Sequence, residues 1–185
     1  MKKLRHGFKA EAERIAICVR RDLDLGEWVA IDPWLLAEQL GYQVTDLSAF
    51  TETHPQEVAV LRRYTGPKGF SALTICAGND SDRLIILNDG HGLARRAADL
   101  SHELAHGLLL HSSEMFGAGG RSQVDIKDEA EANWLGPALL VPRPAAQFII
   151  REKYSTDQAA QIYGVSEQLL KMRIQVTGVK KNARY

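Results

Sequence analysis

Apolar residues recur at helical spacing near the start of the chain, where Ala12, Ile15, Ala16, Val19 and Leu23 lie three or four positions apart with charges between them. This pattern predicts a helix from Lys9 to about Leu25, stopped at Gly26. Asp32 followed by Pro33 signals a second start, because an aspartate can cap a helix and a proline suits its first position. That helix is expected from Trp34 to Leu40, ending at Gly41, with a strand from Tyr42 to Leu47 behind it. FSALTICA (Phe70 to Ala77) and LIILN (Leu84 to Asn88) are rich in β-formers, and the turn chemistry of GNDSDR between them predicts a hairpin. The second strand leads through Asp89-Gly90-His91-Gly92 into the next helix, so the sheet edge is expected close to whatever that helix carries. An edge strand there can pair with an extended peptide.

That next helix has the most informative pattern. Leu93, Ala97, Leu100, Leu104 and Leu108 form an apolar stripe, and away from it His102, Glu103 and His106 form the spacing H-E-x-x-H. At about 100° per residue, positions four apart are only ~40° out of register, so both imidazoles can reach one metal ion. Glu103 projects beside such an ion, where a carboxylate can take a proton from the attacking water: the general-base position of a metallopeptidase.

A loop with Gly117, Gly119 and Gly120 leads to a second helix from about Asp125, containing DEAEANWLG. Glu129 shares a face with Ala132, Asn133 and Gly136, a narrow stripe that lets this helix press on the histidine helix with Glu129 aimed at the metal. Glu131 lies about 200° around from Glu129 and would share the site only if Glu129 did not. Two histidines and a glutamate leave a fourth position open, which is the catalytic rather than the structural arrangement for zinc. One zinc ion per chain is expected, with manganese as an alternative.

Gly136-Pro137 is expected to kink this helix, and Pro142 and Pro144 mark a break before a helix from Ala145 to about Tyr154. Two short helices follow, with Ser155 or Thr156 capping one, Gly164 ending it and Ser166 capping the next, in the manner of a helix-turn-helix. From Lys171 onward, Lys171, Arg173, Lys180, Lys181 and Arg184 are unaccompanied by any acid. Such a pattern suits DNA contact or, equally, a packed helix pair with a basic tail.

Composition narrows the class without choosing within it. The 185 residues, 45% of them hydrophobic, suffice for one compact domain with a small appended unit. The expected class is α+β: a mainly helical zincin-like metallopeptidase domain over 1–141, core about 55–141, with a small antiparallel sheet. A helical, helix-turn-helix-like unit over 142–185 is expected to pack on it. Lys plus Arg and Asp plus Glu are both 23, so no global field points to nucleic acid or membrane. Neither a leader nor an apolar run near the ~20 residues of a membrane span is apparent, which predicts a cytoplasmic protein. Cys18 and Cys76 lack the spacing of a disulfide framework or a cysteine zinc site and are expected to be reduced core residues.

From about Gly7 to the C-terminus the chain resembles the ImmA/IrrE family of metallopeptidases. The matching pieces are GFKAEAERIA, FSALTI, ILNDGH, RRAADLSHELAH from Arg95, EAEANWLGPALLVP and YGVSEQLLKMRIQVTG. The resemblance implies that His102, His106 and Glu129 are zinc ligands and that Glu103 is the catalytic base. It also implies a substrate, a helix-turn-helix repressor commonly encoded nearby, whose cleavage releases phage, mobile-element or stress-response genes. Ala97-Ala98-Asp99 stands where the family often has Arg-Phe-Thr, and Leu135-Gly136 where it often has Phe-Ala. The oxyanion stabiliser is left open among His91, Arg95 and His111. The competing reading is a non-proteolytic regulator that binds a repressor or DNA through Ser155 to Tyr185, its metal site structural or vestigial. Glu103 argues against it, since a purely structural site has no use for a base.

Overall fold

A computed structural model describes residues 4–63, 69–76, 83–111 and 126–179. Among these, the elements are α1 (Phe8–Asp22), α2 (Pro33–Gln39), β1 (Tyr42–Asp46), a 3-10 turn (Leu47–Phe50), α3 (Pro55–Arg63), β2 (Ala72–Cys76) and β3 (Arg83–Leu87). They continue with α4 (Leu93–Leu108), α5 (Ile126–Leu140), α6 (Arg143–Arg151), α7 (Thr156–Ile162) and α8 (Glu167–Val176). The chain is α+β and mainly helical. Among the described residues, no helix is long and apolar enough to cross a membrane.

The local signals explain most boundaries. Asp32 accepts a hydrogen bond from the Trp34 N–H, and Pro33 opens α2. Ser155 and Gln158 form a reciprocal capping box at α7, and the Ser166 side chain caps α8. The first helix stops earlier than its apolar pattern suggests. Asp24 takes a left-handed conformation (φ 56°), which lets the Leu25 N–H turn back to the Arg20 carbonyl before Gly26 is reached. The sixth helix also runs earlier than expected, over Arg143–Arg151, because the Arg143 N–H finds an acceptor in the Glu13 carboxylate. Pro137 does not break α5, which continues through it to Leu140. Helix α3 was not anticipated; only Val58 of it is buried, too little to leave an apolar stripe.

The expected hairpin forms, with β2 antiparallel to β3, but the sheet is mixed rather than antiparallel. Its order is β1-β3-β2, with β1 parallel to β3, because the connection containing α3 brings the chain back as β2, opposite in direction to β1 at the far edge, and the hairpin reverses it again into β3 between them. The second hairpin strand is therefore central, and the first, β2, is left with an edge unpaired among the described residues.

One apolar core joins α1, α2, β3, α4, α5, α6, α7 and α8, with Phe8, Ala12, Leu36, Ile85, Leu100, Leu104, Leu135, Leu139, Ile149 and Leu170 among its buried members. Leu93 of the expected stripe is 73% exposed, since it begins α4 beyond the edge of this core. Cys18 is exposed, on the face of α1 opposite Ala12 and Ala16, and the Cys76 side chain lies outside the described set. Arg173, counted above as part of a basic tail, is buried: it donates to the Val141 carbonyl and to Glu13. Residues 180–185, with the other tail cations, lie outside the described residues.

Helices α4 and α5 meet at Gly136. A Cβ placed there would stand 3.1 Å from the His102 Cα, from the His102 nitrogen and from the Ser101 carbonyl oxygen. Both neighbours are backbone, so neither can rotate away. Gly136→Ala is therefore expected to lower stability by about 1–3 kcal/mol despite alanine's better helix propensity. Urea unfolding measures this, and an unchanged midpoint would show that the helices have room to separate.

Candidate metal centre

The close approach at Gly136 places one turn of α5 over the polar face of α4. His102 and His106 project from α4, and Glu129 reaches them from two turns before Gly136. His106 Nε2 lies 3.2 Å from His102 Nε2 and 3.1 Å from Glu129 Oε1, and His102 Nε2 is 3.8 Å from the same oxygen. All three ligand atoms fall within 4.8 Å of one another. A tetrahedron with zinc–ligand bonds of about 2.0–2.1 Å has edges of about 3.3–3.4 Å, so this triangle is of the size a zinc ion needs. Its chemistry, two imidazoles and one carboxylate, is that of a centre with an open position. The residues present therefore fit the metal.

Their surroundings hold them ready. Burial and the neighbouring His102 push the His106 imidazole below its ordinary pKa, favouring the neutral form that a ligand requires. Asn133 donates to the Glu129 carbonyl at 2.6 Å, and its Nδ2 lies 3.5 Å from Glu129 Oε2. Asn133 was read from sequence only as a small-stripe residue; the one-turn spacing from Glu129 was the signal for this second role.

Glu103 is on the same helix but turned toward the sheet. Its Oε2 accepts a hydrogen bond of 2.5 Å from the Thr74 hydroxyl on β2. Burial raises the carboxyl above its ordinary pKa, and the bond from Thr74 and the proximity of His102 offset part of that rise. Thr74 was not singled out from the sequence, because its contact with Glu103 exists only once β2 lies against α4.

An open cleft of about 540 Å³ runs past these groups. Its walls are Gly69 to Ala72 leading into β2, Ala98, Asp99, His102 and Glu103 of α4, and Glu129, Asn133 and Pro137 of α5. The open edge bordering it belongs to β2, the first hairpin strand, rather than to the strand that leads into the histidine helix.

The three residues considered for oxyanion stabilisation are placed differently. His91 and Arg95 both hold Asp99, and Arg95 also donates to the Ser71 hydroxyl, tying the approach to β2 onto α4. His111 sits behind His106, with Nδ1 3.1 Å from His106 Nδ1, on the side away from the ligand atoms. None of the three lines the cleft. Glu131 likewise points elsewhere: it is buried, and its Oε1 accepts from Arg5 at 2.7 Å.

Glu129→Gln is expected to weaken zinc binding at least tenfold, because a neutral amide replaces the one anionic donor of the triangle. Glu131→Gln is expected to weaken it by less than that. Competition titration against a chromophoric chelator separates the two, and the reverse order would transfer the ligand role to Glu131.

No curated protein matches the chain. A family profile described as the IrrE N-terminal-like domain, Peptidase M78, matches residues 44–175, a span that runs from within β1 through β2, β3, α4 and α5 to the end of α8. A match over more than half of the chain, containing the whole His–His–Glu cluster and Glu103, shows that the chain belongs to this family of metallopeptidase type.

Proposed function

We propose that the chain is a zinc-dependent endopeptidase that cleaves a helix-turn-helix transcriptional repressor at a specific site, relieving repression of phage, mobile-element or stress-response genes. The observation that carries the peptidase reading is the position of Glu103. It stands beside the His102–His106–Glu129 triangle on the wall of an open cleft, half-buried, with its carboxylate held by Thr74. A structural zinc site offers no reason for such a group. The repressor as substrate rests on the family resemblance, and the free β2 edge suits an extended segment of polypeptide, which can add to it as a strand.

Zinc, when bound, supplies Lewis acidity that polarises the scissile carbonyl and makes the attacking water more acidic. His102, His106 and Glu129 would hold it with three donors. The Glu103 carboxylate accepts the water's proton and passes it to the leaving amine. Thr74 keeps one carboxylate oxygen occupied, and Glu103 lines the cleft. Gly69 to Ala72 and the β2 edge orient the peptide across it.

The alternative, a non-proteolytic regulator acting through its C-terminal helices, loses one of its cations to the interior in the buried Arg173, and Lys171 is paired with Glu167. Glu103→Gln separates the two readings. It is expected to keep zinc and repressor association while slowing cleavage of its helix-turn-helix repressor substrate by about 10²-fold or more. Gel analysis of both proteins expressed together measures this. Inactivation of a repressor that stays full length, equally by parent and variant, would overturn the peptidase reading.

A further inference from the structure

Behind the metal triangle runs a second row of polar side chains that the proposed reaction does not use. His106 turns Nε2 toward His102 and Glu129, so its Nδ1 points back, 3.1 Å from His111 Nδ1. The His111 ring packs edge-on against His106 at 5.2 Å between centroids. Its far nitrogen, Nε2, lies 3.6 Å from Asp128 Oδ1 and 3.7 Å from Glu131 Oε2. Glu131 is held in turn by Arg5, which also grips Glu11 with both terminal nitrogens.

The directions in this row follow from the ligand role. An imidazole that binds through Nε2 carries its proton on Nδ1, so His106 must donate and His111 Nδ1 must accept. The proton of His111 then resides on Nε2, facing two carboxylates. Metal-bound histidines ordinarily donate their second nitrogen to a carboxylate or a carbonyl. Here a second histidine takes that place and carries the orientation on to Asp128 and Glu131.

The backbone is bent to put it there. Helix α4 ends with the Leu110 N–H bonded to the Gly107 carbonyl and the His111 N–H bonded to the carbonyl of His106 itself. This turn needs a left-handed residue, usually glycine, yet Leu110 occupies it at φ 53° with a side chain 87% exposed. A leucine there is strained and gains little from packing. What the turn achieves is the return of His111 over His106.

We infer that His111 is a positioning residue for the metal centre, fixing the tautomer and ring orientation of His106 and linking them to Asp128 and Glu131. The inference rests on His106 being a ligand, as proposed above. It is tested with zinc alone. His111→Phe keeps an aromatic ring against His106 and removes the acceptor; His111→Leu is the second such variant, used if the first does not fold by circular dichroism. His111→Asn restores an acceptor where Nδ1 stood. Loss of the acceptor is expected to raise the zinc Kd by 10- to 100-fold and to displace the absorption bands of the cobalt-substituted protein, while His111→Asn stays within about threefold of the parent. Parent-like zinc affinity without the acceptor overturns the assignment, as does an equal loss with and without it. His106→Ala in the same titration keeps the two questions apart: if that variant retains parent-like zinc affinity, the ligand assignment fails whatever His111 does.

Discussion

The contact on which the site depends is backbone against backbone: Gly136 of α5 lying on His102 and Ser101 of α4. Helices that meet through ordinary side chains stay about 8–10 Å apart, which would leave a carboxylate on one to reach for the imidazoles of the other. At Gly136 no side chain intervenes. Glu129, two turns away on the same side, therefore arrives within 3.1 Å of His106 Nε2. The same face brings Asn133 and Pro137 to the cleft, so one glycine sets both the metal triangle and one wall of the groove beside it.

A close contact at one point leaves a helix free to pivot, and two buried arginines oppose that at the other end of α5. Arg20 of α1 donates to the Leu140 carbonyl as well as to those of Ala16 and Val29, and Arg173 of α8 donates to the Val141 carbonyl and to Glu13. The Leu140 and Val141 carbonyls are the last of α5 and the first beyond it, where carbonyls have no partner within the helix and carry its negative end charge. Burial pulls the Arg20 guanidinium down to about 10, so it still carries its charge at neutral pH. Removing a charge from water costs several kcal/mol, and here the cost is offset by three carbonyl acceptors rather than by a carboxylate in contact. The C-terminal helices thus contribute to the geometry of the metal centre through α5, whatever further role their outer surface has.

Around the triangle, the protein separates groups that share one helical turn. His102 and His106 face α5, while Glu103 faces β2 and is kept there by Thr74. The sheet accordingly does two things at once: its Thr74 hydroxyl restrains the carboxylate, and its β2 edge, unpaired among the described residues, borders the space where a polypeptide can lie. His111, Asp128, Glu131 and Arg5 extend the restraint outward from His106 to the start of α1.

The sequence alone determined whatever depends on neighbours along the chain. Helical periodicity put His102 and His106 on one face and Glu103 beside them; capping chemistry placed the starts of α2, α7 and α8; and β-formers around a polar turn marked the hairpin. The small stripe with Gly136 even indicated which side of α5 would press on α4. Tertiary structure decided the rest, because a contact distant in sequence leaves no local pattern. Thr74 meets Glu103 across 29 positions, Arg5 meets Glu131 across 126, and Arg173 meets Glu13 across 160. The parallel pairing of β1 with β3 likewise has no signal in either strand, yet it decides that β2 is the edge left open beside the cleft. A basic residue such as Arg173 reads from composition as part of a solvated tail, and only the packing of α8 against α1 and α5 turns it into an interior clamp.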